Sequence, residues 1–204
     1  MNIPSISTTD LAKWLLGKKL IINHDGLLTS GYIVETEAYL GPEDRACHSY
    51  GWRRTPKVAS MYEDAGTIYV YSMHGHNMLN VVTREVGVPE AVLIRAIQPL
   101  DGVELMVDSR GATGFEVTNG PGKLCKAMGI TRDFDGLELG CNKIYLDESS
   151  SKIPVEIFVS ARIGIPNKGE WTDAPLRFYV EGNPYISKLP KRMMKDAFQT
   201  WQGN

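Results

Sequence analysis

The stretch Lys19-Leu-Ile-Ile-Asn-His24, followed by Asp25-Gly26 and then by Leu27 through Leu40, decides the fold. Both flanking runs are rich in apolar and β-branched residues, which favours β-strands. Asp-Gly between two such runs is typical of a two-residue hairpin turn, because both turn positions need a positive φ. We therefore predict two antiparallel strands joined at residues 25 and 26.

Outward from this hairpin, strand-like runs follow one another without the regular alternation of strand and helix that builds parallel sheets. We predict further strands at residues 67–73, 79–83, 91–97, 143–146, 155–159 and 176–180, and helices at residues 8–17, 99–107 and 123–128. The segment after Lys188 suits either a helix or a loop. The predicted fold class is α+β: a single domain, residues 1–204, with a central, largely antiparallel, curved β-sheet and peripheral helices.

Composition limits the function classes that need to be considered. No apolar run approaches the roughly 20 residues that cross a bilayer, and residues 1–5 lack the features of a signal peptide. We expect a cytoplasmic protein, nucleoid-associated in a bacterium, with no membrane partner. The three cysteines, Cys47, Cys125 and Cys141, are widely spaced, which argues against a disulfide scaffold or a zinc finger.

The charge pattern leaves the partner open. A formal net charge of −2 does not by itself favour nucleic acid. Basic residues nevertheless cluster at positions 18–19, 53–57, 123–126 and 188–195, whereas acidic residues concentrate between positions 133 and 148. This pattern allows one basic face, and it equally describes an evenly solvated surface.

Two carboxylates mark the stretch Ile33-Val-Glu-Thr-Glu-Ala-Tyr39. Because strand side chains alternate between faces, Ile33, Glu35, Glu37 and Tyr39 are predicted to share one face. The aperiodic residues 41–57 follow directly, and a loop of that length in a compact domain is usually functional. An exposed strand face is one explanation for the two glutamates, and it is the common reason for glutamate on a strand. A carboxylate pair, as in hydrolases that cleave glycosides or nucleosides, is another.

Aromatic residues form a second candidate set. Tyr69 and Tyr71 are predicted to share a face of the strand at 67–73. If that strand neighbours the first, Tyr71 and Tyr39 form two walls of a slot for a planar base, whose stacking contributes about 1–3 kcal/mol. Ordinary cross-strand packing explains the tyrosines equally well. In the loop, His48 is placed to hydrogen-bond a base edge or the sugar-phosphate backbone.

Two further motifs carry weaker signals. His74 and His76 form His-x-His, which suits a metal when both lie on a strand, but no third ligand stands at a recognisable spacing, so we expect no metal and no cofactor. Residues 120–123, Gly-Pro-Gly-Lys, place backbone amides and a lysine at a helix start, which suits one phosphate or is a plain helix cap.

Taken in order, these stretches identify a family. The chain resembles the alkyladenine (3-methyladenine) DNA glycosylases over nearly its whole length. The resemblance is carried by the stretches at residues 33–44, 46–49, 54–56, 66–71, 93–96, 120–125 and 175–180, which read IVETEAYLGPED, ACHS, RTP, GTIYVY, LIRA, GPGKLC and PLRFYV. Their order and spacing are specific, although no single stretch is.

The resemblance implies roles for individual residues. Glu37 matches the residue that activates the attacking water, and Arg95 matches an arginine beside it. Ile163 matches a position whose backbone carbonyl helps to hold that water. The walls of the pocket for the extruded base correspond to Tyr39, His48, Tyr71 and Asn80. The spacing from Gly75 to Asn80 is one residue shorter than the family pattern. At the position whose side chain fills the gap left in the duplex, His74 replaces the usual aromatic residue.

The resemblance implies a monofunctional DNA glycosylase that acts in base excision repair. A damaged purine, alkylated or deaminated as in hypoxanthine, is rotated out of DNA, and hydrolysis of its N-glycosidic bond leaves an abasic site. The implied partner is DNA, expected to be double-stranded and to contain a damaged base, and the enzyme is expected to be a monomer. A glycoside or nucleoside hydrolase and a non-catalytic nucleic-acid-binding module remain the alternatives.

Overall fold

The first hairpin lies where the sequence predicts it. In the computed structural model, which describes residues 3–203, β1 (Lys19–His24) pairs antiparallel with β2 (Leu27–Tyr39). The turn residues Asp25 and Gly26 have φ values of 52° and 97°, and their positive φ is what a two-residue hairpin of this kind requires. The predicted hairpin is confirmed.

The other strands extend this hairpin into one eight-stranded sheet. They are β3 (Ile68–Met73), β4 (His76–Val82), β5 (Ala91–Pro99), β6 (Ile144–Asp147), β7 (Ile157–Ser160) and β8 (Arg177–Val180). The main path runs β3-β4-β5-β2-β1-β6, while β8 pairs with both β2 and β7. Every pair of strands is antiparallel. All six predicted strands outside the hairpin are present, with shifted ends.

Strand β2 is the centre of the sheet, because it pairs with β1, β5 and β8. Its register against β5 shifts on both sides of Glu35, and such bulges bend a strand and increase its twist. Residues 29–38 are all buried. The exposed-face explanation of the two glutamates is therefore wrong, and the fold class, α+β with a curved antiparallel sheet, is confirmed.

Over residues 3–203, four α-helices lie around the sheet: α1 (Thr8–Trp14), α2 (Val103–Arg110), α3 (Pro121–Ala127) and the one-turn α4 (Glu170–Asp173), which was not predicted. The N-cap of α1 is Ser7, whose hydroxyl accepts from the Asp10 amide, and the helix ends at Trp14, three residues before the predicted end. The helix predicted to begin at Pro99 begins at Val103. Residues 99–101 instead continue the sheet, since the Leu100 amide donates to the Ser30 carbonyl.

The region predicted as a long loop is compact. Three 3₁₀ turns, Gly41–Glu43, Tyr50–Trp52 and Pro56–Tyr62, lie in and just beyond it. Cys47 and three buried side chains of the last turn form an apolar cluster, separate from the main core, with residues of β3, β4 and β5. This second cluster fixes the region against one end of the sheet, where Tyr39 and Tyr71 also pack on it. Among residues 3–203, no helix combines the length and apolarity that crossing a membrane requires.

Candidate active site

A cavity of about 480 Å³ lies between the compact loop region, the ends of β2 to β5 and residues 163–168. Its floor comes from side chains of β4 and β5, among them Met78 and Leu93. The predicted site residues that line it are Tyr39, His48, Tyr71, Asn80, Arg95 and Ile163. The structure thus brings together six positions that are scattered over 125 residues of sequence.

Glu37 does not itself line this cavity; it lies directly behind three residues that do, and it is 0% exposed. The Tyr39 hydroxyl donates to Oε2 at 2.9 Å, and the Ile163 amide donates to Oε1 at 2.7 Å. Arg95 Nη1 lies 3.2 Å from Oε1. All three partners line the cavity, so the carboxylate is held by the groups that a bound molecule would touch. The contact from the Ile163 amide was not anticipated.

Glu35 is also 0% exposed, and it is occupied by structural partners. Its Oε1 accepts from Arg95 Nε at 2.9 Å, Arg177 Nε at 2.7 Å and the Ser187 hydroxyl at 2.7 Å; Oε2 accepts from the Ser187 amide at 2.7 Å. Burial raises the pKa of Glu35, but the two guanidiniums and Ser187 outweigh burial and leave that pKa lowered. Glu35 therefore positions Arg95, which reaches on to Glu37.

Aromatic rings form one wall of the cavity. The Tyr69 and Tyr71 rings lie 5.6 Å apart, and the His48 ring meets Tyr71 edge-on at 4.4 Å between centroids. His48 Nδ1 is 2.9 Å from the Tyr69 hydroxyl. Burial lowers the pKa of His48, which keeps its imidazole neutral near pH 7, and burial raises the pKa of Tyr71 to about 12. The wall therefore carries no charge of its own at neutral pH.

The slot between Tyr39 and Tyr71 was predicted on the condition that their two strands are neighbours, and that condition is wrong. Strands β2 and β3 are not neighbours, because β4 and β5 lie between them. Tyr39 and Tyr71 nevertheless both line the cavity, since the sheet curves and Tyr39 stands at the end of its strand. On the floor between them, Asn80 is buried, and its amide nitrogen donates to the carbonyls of Tyr69 and Met78 at 3.0 and 3.2 Å.

A buried ion pair supports Tyr39 and Ile163. Arg162 donates to both oxygens of Asp44, at 2.5 and 2.9 Å, and both side chains are fully buried. The Arg162 guanidinium carbon lies 4.6 Å from the Tyr39 ring centroid, within range of a cation–π contact. Because Ile163 follows Arg162 directly, the pair also fixes the amide that donates to Glu37.

His74 lies outside the cavity lining, at the tip of the β3–β4 hairpin. It has a φ of 51° and is exposed, next to the cavity-lining Met73. His74 and His76 are therefore not two residues of one strand, and the geometry behind the metal alternative is wrong. Within residues 3–203, no group of three or more histidine, cysteine or acidic side chains is arranged to hold a metal ion.

The basic clusters in the sequence are distributed unevenly around this site. Arg45, Arg53 and Lys168 line the cavity at its edge. Lys123, at the helix start considered for a phosphate, is instead paired with Glu116 and donates to Asn119 at 2.7 Å. The charge near the cavity mouth therefore comes from the loop regions and not from the start of α3.

Comparison with protein families identifies the family of the chain. The sequence profile described as methylpurine-DNA glycosylase matches residues 3–184. The chain belongs to the methylpurine-DNA glycosylase family. Proteins named "Putative 3-methyladenine DNA glycosylase" are similar over the full length: those of Staphylococcus saprophyticus (55% identity), Staphylococcus haemolyticus (51%) and Staphylococcus aureus (48%) each align with 99% of this chain and 100% of their own.

Four residues of this glycosylase-family site received no role from the sequence: Asp44, Arg162, Arg177 and Ser187. Asp44 lies within a stretch that carries the family resemblance, and Arg162 directly precedes Ile163. A charged residue at such a position is a weak sequence signal for a role in the site. Ser187 gave none, because it lies 152 residues from its partner Glu35 and beyond the range that the family profile matches. Only the folded chain brings it to the carboxylates.

Proposed function

We propose that the protein is a monofunctional DNA glycosylase that acts on alkylated and deaminated purines. It rotates the damaged nucleotide out of duplex DNA, hydrolyses the N-glycosidic bond and leaves an abasic site. The observation that carries this proposal is a fully buried Glu37 carboxylate directly beneath an aromatic cavity, held by three groups that line that cavity.

The cavity suits a flat, extruded base. Tyr71, Tyr39 and His48 offer faces and edges for stacking, and a cationic alkylated purine gains about 0.5–2 kcal/mol from a tyrosine face. The floor residue Asn80 opposes the exocyclic amine of a guanine, which favours lesions that lack it. A damaged, weakly paired base costs less to unstack than a normal one, which adds selectivity before chemistry.

Glu37 is the general base of the proposed reaction. As the bond to the purine lengthens, positive charge develops on the deoxyribose, and the carboxylate stabilises that charge from below. Water then attacks C1′, and Glu37 accepts its proton. Arg95 and the Ile163 amide hold the carboxylate in place, and the backbone carbonyl of Ile163 helps to bind the water. The purine leaves with its bonding electrons.

His74 is proposed as the side chain that fills the gap left in the duplex, since it stands at the exposed tip of a hairpin beside the cavity. An imidazole is smaller and more polar than the aromatic ring typical of the family, so it fills that gap less completely. We further propose that the enzyme acts as a monomer in the cytoplasm, where bacterial DNA is accessible to it.

The test replaces Glu37 with glutamine, which keeps the shape and removes the base. Glu37→Gln is expected to bind a duplex containing hypoxanthine or an alkylated purine with near wild-type affinity and to lose single-turnover excision, scored as alkali-labile abasic sites. The matched control is Glu43→Gln, at an exposed position, which should excise normally. Excision by Glu37→Gln near the wild-type rate would falsify this role of Glu37.

A further inference from the structure

The loop at the cavity mouth carries an exposed tryptophan that the proposed chemistry does not use. Trp52 is 64% exposed, and within residues 3–203 no hydrogen bond or ring contact involves its indole. Its φ is 63°, in the left-handed region that is unfavourable for a bulky side chain. Glycine at this position would remove both the backbone strain and the exposed apolar surface, so the fold alone does not explain a tryptophan here.

The position of Trp52 is fixed by the residues around it. Tyr50 and Arg53, on either side, both line the cavity. The Arg53 amide donates to the Ser49 carbonyl at 3.2 Å, and the Tyr62 hydroxyl donates to the Arg53 carbonyl at 2.9 Å. Consecutive Cα atoms are 3.8 Å apart, so Trp52 stands within one residue of the cavity wall. Trp52 therefore belongs to an anchored turn beside the cavity, and most of its side chain is exposed.

The chemistry around the indole favours nucleic acid. Arg53 and Arg54 follow it directly, both exposed, and Arg45 lies on the same side of the cavity. An aromatic face beside several arginines is the combination that stacks on bases and neutralises the backbone of single-stranded or unstacked nucleic acid. A base that loses its neighbour by extrusion presents such an unstacked face next to the cavity.

We propose that Trp52 is a second aromatic DNA contact, whose indole stacks on an unpaired base face beside the extruded nucleotide. This inference rests on the proposed function, because its ligand is the damaged DNA. Trp52 acts from the loop that precedes β3, on a different segment from the hairpin tip at His74. Two separated side chains would then hold the opened duplex, and the smaller size of His74 is offset by the larger Trp52.

Fluorescence tests this contact directly, because Trp52 is the most exposed of the four tryptophans. Trp201 is 2% exposed, and Trp14 and Trp171 are half-buried. A hypoxanthine-containing duplex is expected to quench indole emission in Glu37→Gln protein, and the additional replacement Trp52→Phe should abolish most of that quenching. Equal quenching in both proteins would overturn the proposed contact.

Affinity tests its importance. In the Glu37→Gln background, Trp52→Gly should weaken binding of lesion DNA by about 5- to 150-fold, the range for one stacked base, whereas Trp52→Phe should retain most of the affinity. The control is Phe198→Ala, at a position that is 66% exposed in a segment without cavity-lining residues, and it should bind like its parent. Unchanged affinity in Trp52→Gly overturns the inference.

Two further readouts separate this inference from other failures. Because glycine suits a left-handed, exposed position, Trp52→Gly should melt within about 4 °C of wild type, so lost affinity cannot be attributed to unfolding. Wild-type protein that binds and excises a lesion, together with a Trp52→Gly variant that binds it equally well, overturns the indole contact alone. Wild-type protein that excises no damaged purine overturns the proposed function instead.

Discussion

The substitution Glu35→Gln tests whether the second glutamate is a structural carboxylate. Glutamine has nearly the same shape, but it removes the negative charge that Arg95 and Arg177 share. It also places an NH₂ group where an oxygen now accepts, and in either orientation that group faces an N–H donor: the two guanidiniums at Oε1 or the Ser187 amide at Oε2. In the variant, the positive charges of Arg95 and Arg177 are no longer balanced by the Glu35 carboxylate, although both guanidiniums stay largely out of water. At least one hydrogen-bond donor also faces another donor.

The expected loss of stability in Glu35→Gln follows from the burial of the ion pair. Removing one partner from a buried ion pair costs about 3–5 kcal/mol, because the remaining charge stays out of water. For a chain of about 200 residues, each kcal/mol lowers the melting temperature by about 2–4 °C, so the expected decrease is about 6–20 °C. Glu43→Gln, exposed and in a 3₁₀ turn, is the control and should melt as the wild type does.

Thermal unfolding followed by circular dichroism at pH 7 measures this decrease. The same samples should show reduced single-turnover excision, because Arg95 loses the partner that aims it at Glu37. A Glu35→Gln protein that melts within about 2 °C of the control would refute the reasoning. It would mean that the two guanidiniums are compensated without the carboxylate.

Three further results are expected. Tyr71→Ala should weaken capture of an extruded base by about 1–3 kcal/mol in lesion-DNA binding assays, and unchanged affinity would argue against the stacking wall. The free energy of unfolding, measured with urea, should decrease as the pH falls below about 4.5, the ordinary pKa of Glu35. The folded protein lowers this pKa, so the ionised Glu35 contributes its full stabilisation only above that pH. The Glu35→Gln variant should show a shallower decrease, and identical slopes would count against the network around Glu35. If Arg45, Arg53 and Lys168 each neutralise one phosphate, log affinity should fall with log salt concentration with a slope of about −3, and a slope near zero would exclude a DNA-binding mouth.

Local sequence was sufficient for most of the sheet. The hairpin at Asp25 and Gly26 was predictable because turn type depends on two residues, and the other strands were predictable from apolar runs. The ends were less accurate where a distant partner decides them. Residues 99–101, for example, stay extended because of hydrogen bonds with Ser30 in β2.

The resemblance predicted candidate residues that line one cavity in the structure, whereas reasoning from the residues themselves predicted only some of them. Alternation along β2 placed Glu35 and Glu37 together but gave no sign that both are buried, since burial depends on β5 and β8 pairing to either side. The proximity of Tyr39 and Tyr71 was predicted on the assumption that their strands are neighbours. That assumption was wrong, because the order of strands in a sheet depends on non-local contacts. The roles of Asp44 and Ser187 depend on contacts across 118 and 152 residues, which no local pattern encodes.

The contact between Ser187 and Glu35 has a consequence for the timing of activity. A chain leaving the ribosome presents residues 35 and 37 early, but Arg177 and Ser187 emerge only after some 140 further residues have been made. Until then Glu35 lacks two of its three partner residues, and the central strand has no β8 beside it. Nascent or truncated chains therefore hold an incomplete form of the candidate site, so that the proposed competence to open glycosidic bonds in DNA arises together with the finished fold.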